Sequence, residues 1–126
     1  MTDSSSPLEV AERLFAAIQS GDTATVSEVY DPDVKVWHNN DQVTQGRDDN
    51  LRVIGWLAKN IPDLRYEEIR RQALPNGFVQ QHVLRGTAPN GKLLEVPACV
   101  ICEVVDGHVT RLDEYLDSAH TAVLLG

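Results

Sequence analysis

Three polar side chains interrupt runs that otherwise read as apolar strand: Gln80 and His82 in FVQQHVLRGT, and Glu114 in HVTRLDEYLD. Burying an unpaired polar side chain costs about 1 to 3 kcal/mol, so these positions mark where chemistry is to be sought. Phe78, Gln80, His82 and Leu84 share one strand face by parity. A histidine in an apolar cavity beside a carboxylate titrates near neutrality and serves as acid or base. Glu114 shares a face with Thr110 and Leu112, opposite Arg111, Asp113 and Tyr115, so only one of Asp113 and Glu114 points inward; we assign Glu114. An inward glutamate in apolar surroundings has a raised pKa and suits proton transfer. The alternatives are a core His82 satisfied by Gln80, a tyrosine or backbone, and a Glu114 that is an exposed strand acid.

The segment VKVWHN alternates Val34, Val36 and His38 against Lys35, Trp37 and Asn39. Trp37 offers either a flat wall for a ring-bearing ligand, with its indole N–H on a ligand oxygen, or plain core. His38 is expected to face away from Trp37 and Asn39. Parity then allows His82, Glu114, Asn39, Gln80 and Trp37 to converge on one cavity from three separate parts of the chain. No metal is expected: His38, His108 and His120 lack ligand spacing. Cys99 and Cys102 form a C-x-x-C string inside an expected strand, where an offset of three sends them to opposite faces as small hydrophobes. No cofactor is implied.

These residues are positioned by Phe78 to Asp117, in which runs rich in Val, Leu and Ile are separated by Pro-Asn-Gly and Asp-Gly, the signature of an antiparallel meander. Upstream, Ser6-Pro7-Leu8-Glu9 combines an N-cap, a proline at the first helical position and a capping-box glutamate. The stripe Leu8, Ala11, Leu14, Phe15 and Ile18 predicts a buried helix face, ended by Gly21. Asp22 caps a second helix through Val29, stopped by Asp31-Pro32-Asp33. The strand Val34 to Asn39, a polar loop to Gly46 and a third helix capped by Asp48 follow. Pro62 ends that helix. Leu64 to Leu74 reads as a long strand, and the tail after Asp117 as a last helical turn packing Val123 and Leu124.

The order is helix, helix, strand, helix, then four strands: an α+β domain whose strongly curved antiparallel sheet wraps the N-terminal helices as a cone with an open mouth. Residues 1–6 are expected to be a flexible N-terminus and 7–126 a single domain. Its 126 residues suffice for one core. A net charge of -8, with Arg70-Arg71 the only adjacent basic pair, argues against nucleic acid. No apolar run reaches the length of a membrane span, and MTDSSSP has no secretory pattern, so a cytoplasmic location is expected. Val96, Ala98, Val100, Cys102 and Val104 make one apolar sheet face, yet Cys99 and Ile101 on the other also resist exposure. Helices cover only one face, so a homodimer through the outer face is expected.

The VWHN strand, the Gly46-Arg47 step, PDLRYE at 62–67 and the ending DGHVTRLDEYLD resemble the SnoaL-like branch of the nuclear-transport-factor-2-like superfamily. That superfamily includes ketosteroid isomerase, polyketide cyclases and limonene epoxide hydrolase. The resemblance spans nearly the whole chain and implies the cone fold, not one activity. Against the epoxide hydrolase pattern, Asn39 matches a water-holding asparagine, Trp37 stands for its tyrosine, Gln80 and His82 for its Arg and Asp, and Glu114 for its Asp base. The isomerase tyrosine falls near Phe15, which has no hydroxyl. The resemblance and the residues together give an expected site of His82, Glu114 and Asn39 as catalytic groups, with Trp37, Gln80, Phe15 and Leu112 against the ligand. The expected function is cofactor-independent acid-base chemistry on an apolar, oxygen-bearing molecule of polyketide, terpenoid or steroid type. The rivals are a non-catalytic binder of such a ligand and a dimerisation module.

Overall fold

The computed structural model describes residues 6–124. The expected flexible segment therefore lies outside the described residues except for Ser6, whose side chain accepts from the Glu9 N–H and caps helix α1 (Pro7–Ser20). Val10, Ala11, Leu14, Phe15, Ala17 and Ile18 form its buried side, while Leu8, expected there, is exposed. Gly21 ends α1 at φ 73°, a left-handed conformation that favours glycine. Helix α2 (Thr23–Val29) is capped by Asp22, which accepts from Thr25.

Strand β1 runs from Tyr30 to His38, beginning four residues before Val34. Asp31-Pro32-Asp33 therefore interrupts rather than precedes it, and the pairing skips between Tyr30 and Lys35. Within the expected polar loop, Thr44–Gln45 forms the short strand β2 beside β1. Helix α3 (Arg47–Asn60) starts one residue before the anticipated cap: Gly46 occupies the N-cap without a side-chain bond, and Asp48 and Asp49 lie in the first turn, where the helix dipole favours them. Strands β3 (Arg65–Leu74), β4 (Gly77–Thr87), β5 (Leu93–Val105) and β6 (His108–Leu116) follow, then α4 (Ser118–Thr121) and a 3-10 turn (Ala122–Leu124).

The six strands form one curved, unclosed sheet in the order β2-β1-β6-β5-β4-β3, and helices α1, α2 and α3 cover its concave side. All pairs are antiparallel except β1 with β6, which is parallel. Alternation along β5 is strict: Leu94, Val96, Ala98, Val100, Cys102 and Val104 are buried on the concave side. Cys99 therefore faces outward, opposite Cys102. Two irregularities reset this alternation. The β5–β6 pairing shifts between Glu103 and Val104, so Val109 joins Leu112 and Glu114 inside, and Thr110, expected among them, instead hydrogen-bonds Glu103. In β3 the shift between Glu67 and Arg70, with Glu68 at φ 54°, lets both Tyr66 and Arg71 face the concave side despite their odd spacing. The core joins α1, α2 and Ile54 of α3 to the concave face; a smaller cluster around Ile61, Leu64, Leu94 and Val96 gathers Val123 and Leu124 of the tail.

Candidate active site

Cross-strand register assembles the site. Arg71 pairs with Gln80, Gln80 with Val100, Val100 with Glu114, and Glu114 with His38, giving one row across five strands on the concave face. His82 lies one row further along the same face, opposite Ala98. Glu114 and His82 therefore share a side of the sheet, and Asp113 lies on the other side, beside Trp37.

At one end of the row, Nε2 of His38 stands 2.9 Å from Oε1 of Glu114, with the side chains 20% and 19% exposed: reachable, yet poorly screened. The bond to Glu114 raises the His38 pKa; burial opposes it, and the charges of Glu114 and Asp41 add to it. At the other end, Gln80 accepts from Arg71 at 2.6 Å and meets Nδ1 of His82 at 2.9 Å. Burial lowers the His82 pKa, with Glu114 opposing and Arg71 assisting.

Helix α3 closes the cavity from above. Tyr30, the first residue of β1, donates to Oδ1 of Asn50 at 2.7 Å, and Asn50 donates in turn to Gln45 at 2.9 Å. This chain satisfies Asn50, a buried polar residue on the stripe that also carries Ile54. Burial pushes the phenols of Tyr30 and Tyr66 well up, and the charge of Glu114 adds to both, so they remain neutral hydrogen-bonding groups.

The inner cavity, about 90 Å³, is lined by Phe15, Tyr30, Asn50, Tyr66 and Leu112 together with His38 and Glu114. It continues into a mouth of about 460 Å³ walled by Leu57, Leu84, Leu94, Val96, Leu116 and Leu124, with Asp41 at its polar side. His38 and Glu114 belong to both parts. A separate depression of about 700 Å³, lined by residues such as Ile69, Gln81 and Tyr115 and also by Glu68 and His82, holds no histidine hydrogen-bonded to a carboxylate among its described residues, since His82 meets Gln80 and Glu68 meets Arg85.

The structure corrects the expected orientation of β1. His38 faces the cavity, and Trp37 faces outward, its ring 5.5 Å from that of Tyr115. Asn39 lies just past β1: its backbone N–H bonds Glu114 and its Oδ1 accepts from the Leu116 N–H, so it ties β1 to β6. Of the five residues expected to converge, neither Trp37 nor Asn39 is among those lining the cavity or its mouth. Phe15 and Leu112 line the inner cavity, while Gln80 and His82 are buried beside it, the latter's ring 5.6 Å from Phe15 and 4.6 Å from Tyr66. Sequence reasoning missed His38, Asn50 and Tyr66. For His38 a signal existed: it has the parity of Val34 and Val36, the apolar positions of its strand. Asn50 falls four residues before Ile54 on the helical stripe.

Residues 11–112 match the SnoaL-like domain. The chain belongs to the SnoaL-like family. Solved structures agree in fold with this SnoaL-like domain. IdmH of Streptomyces antibioticus, assigned as a polyketide cyclase, is 20% identical with a TM-score of 0.80, covering 95% of this chain and 98% of its own. A protein of Bacillus subtilis assigned as an isomerase is 14% identical, with a TM-score of 0.82 over 100% of this chain and 96% of its own. A protein of Xanthomonas campestris pv. campestris assigned as a polyketide cyclase gives 17% and 0.81 over 95% and 96%. No curated protein matches the chain in sequence. No helix among the described residues is long and apolar enough to cross a membrane, and among them no group of three His, Cys, Asp or Glu is gathered that could hold a metal ion.

Proposed function

We propose that this SnoaL-like domain is a small enzyme that closes or isomerises an uncharged, oxygen-bearing, largely apolar molecule of polyketide type by general acid-base catalysis. The observation that carries this reading is the His38–Glu114 pair, 2.9 Å apart where an aliphatic mouth meets a small polar-ended cavity. Glu114 takes a proton from the carbon between two carbonyl groups. The resulting enolate carbon attacks a further carbonyl of the same molecule, the His38 imidazolium delivers a proton to the alkoxide that forms, and the proton held by Glu114 then passes to His38, which restores both groups. Ring closure thus balances, with no oxidant or leaving group. The cavity and mouth carry Glu114 and Asp41 but neither Lys nor Arg among their lining residues, so a carboxylate or phosphate at the reacting end would be repelled. Asn39 supports the pair by fixing β1 against β6 next to it.

A panel of aryl poly-β-ketone esters, scored for cyclised or isomerised product by mass and NMR, tests the reading. Product formed by the wild type and lost in Glu114→Gln supports it. Saturable binding with no product from any of them would favour the non-catalytic binder.

The convex face is proposed as a homodimer interface. Ile101 and Tyr115 are 42% and 46% exposed there, and Trp37 and Cys99 lie beside them. Sedimentation should show about twice the 14.0 kDa protomer mass, and Ile101→Glu should return the protomer. A wild type that stays at the protomer mass up to high micromolar concentration would refute the dimer.

A further inference from the structure

The contacts around His82 fix where its proton sits. Arg71 reaches in from β3 and donates from Nε to Oε1 of Gln80. An arginine side chain carries donors only, so the Gln80 atom it meets is the carbonyl oxygen. The amide nitrogen is then the group facing His82, and it must donate. Nδ1 of His82 is therefore the acceptor, and the ring proton resides on Nε2. That Nε2 is buried and has no partner among the described residues, on a residue only 3% exposed. The ring stands edge-on to Phe15 and Tyr66, which line the inner cavity, and His82 itself sits behind that lining.

We propose that Arg71 and Gln80 are positioning residues that hold His82 as a neutral imidazole protonated at Nε2, and that this N–H is a fixed donor for a carbonyl or enolate oxygen of the bound molecule. The donor role rests on the small-molecule reading above; the tautomer does not. A second proton on Nδ1 would oppose the Gln80 amide, which cannot turn over while Arg71 holds its oxygen. The groups facing His82 divide as follows. Arg71 and the phenol of Tyr66 come from β3, and Glu114 acts from β6. Helix α1 contributes Phe15, and its Glu12 acts on Arg71. Glu114 alone favours a histidine cation, and burial and Arg71 outweigh it. His82 is thereby a constant dipole, while His38 carries the exchangeable proton.

The test is long-range 1H–15N correlation on full-length protein labelled at its four histidines, with the His82 signal assigned by its loss in His82→Phe. The wild type should show a protonated Nε2 and a bare Nδ1 that stay unchanged over the pH range in which His38 titrates. Gln80→Glu, which turns the partner into an acceptor, should move the proton to Nδ1. Arg71→Met, which frees the amide to turn, should give a mixture of tautomers. A wild-type Nδ1–H, or a tautomer that both variants leave unchanged, would overturn the lock, and the wild-type spectrum decides this even if a variant fails to fold. Acetylacetone, whose enol presents paired carbonyl oxygens, then probes the donor role. A downfield shift of the His82 Nε2 proton is expected. Movement at His38 with none at His82 would overturn the donor role alone, and no response at either histidine up to the solubility limit would overturn both that role and the small-molecule reading.

Discussion

Two histidines on one concave sheet face behave in opposite ways. His38, at the mouth, is paired with the carboxylate of Glu114 and has its pKa raised. His82, in the interior between Gln80 and the rings of Phe15 and Tyr66, has its pKa lowered, chiefly by burial. Glu114 acts on both, so the carboxylate alone does not decide which ring takes a proton. Direct contact wins over desolvation at His38, and desolvation wins over distant charge at His82. On the proposed reading the mouth exchanges protons and the interior holds a fixed dipole, although the residue type is the same.

The largest effect should come from breaking the mouth pair. Glu114→Gln removes the proposed base and the anion that supports the His38 imidazolium, and turnover should fall by about 10²- to 10⁴-fold, measured as kcat on whichever panel member reacts. A fall of less than tenfold would place the chemistry elsewhere. Next is the phenol over the cavity. Tyr30→Phe leaves Oδ1 of the buried Asn50 without its donor, and stability should drop by about 1 to 3 kcal/mol in urea titration.

The smallest and most discriminating effect is the dependence of stability on pH. Both rings have an ordinary value of 6.5. His38 binds its proton more tightly in the native state, so its contribution is fully present below 6.5 and is lost as pH rises through the raised native value. His82 binds its proton less tightly in the native state, so below 6.5 the unfolded chain takes up a proton that the native site refuses, and stability falls with falling pH. Together the two produce a maximum near 6.5. Urea midpoints compared with wild type should show that His38→Gln flattens the alkaline side and His82→Phe the acid side. The same side flattened by both variants would erase the distinction between mouth and interior.

The pairing of a legible interior with a less legible mouth has a local cause. Gln80 and His82 stood out because they break an apolar run in a strand with no irregularity between them, so parity alone placed them on the side of Phe78. Glu114 was legible for the same reason, although its neighbour Thr110 was misplaced by a bulge that no residue type announces. Tyr66 and Arg71 could not both be assigned inward from spacing, since an extra residue in β3 separates them. His38 faces outward only if Trp37 and Asn39 take the cavity side, and the parity of Val34 and Val36 puts it inward.

The amino-acid sequence by itself determined the order of elements apart from the short β2, the helix caps at Ser6 and Asp22, the alternation of β5 and the family likeness, because each depends on spacing and chemistry within a few residues. Only the tertiary structure decided which side chains meet. His38 reaches Glu114 because β1 lies parallel beside β6, 76 positions away in the chain by their numbering; Asn50 meets Tyr30 because α3 folds back over the sheet; and Arg71 meets Gln80 because a bulge turns it inward. Register between strands and shifts within them are set by the packing of the whole concave face, and a one-residue slip reverses every side chain, so these contacts follow from the fold as a whole.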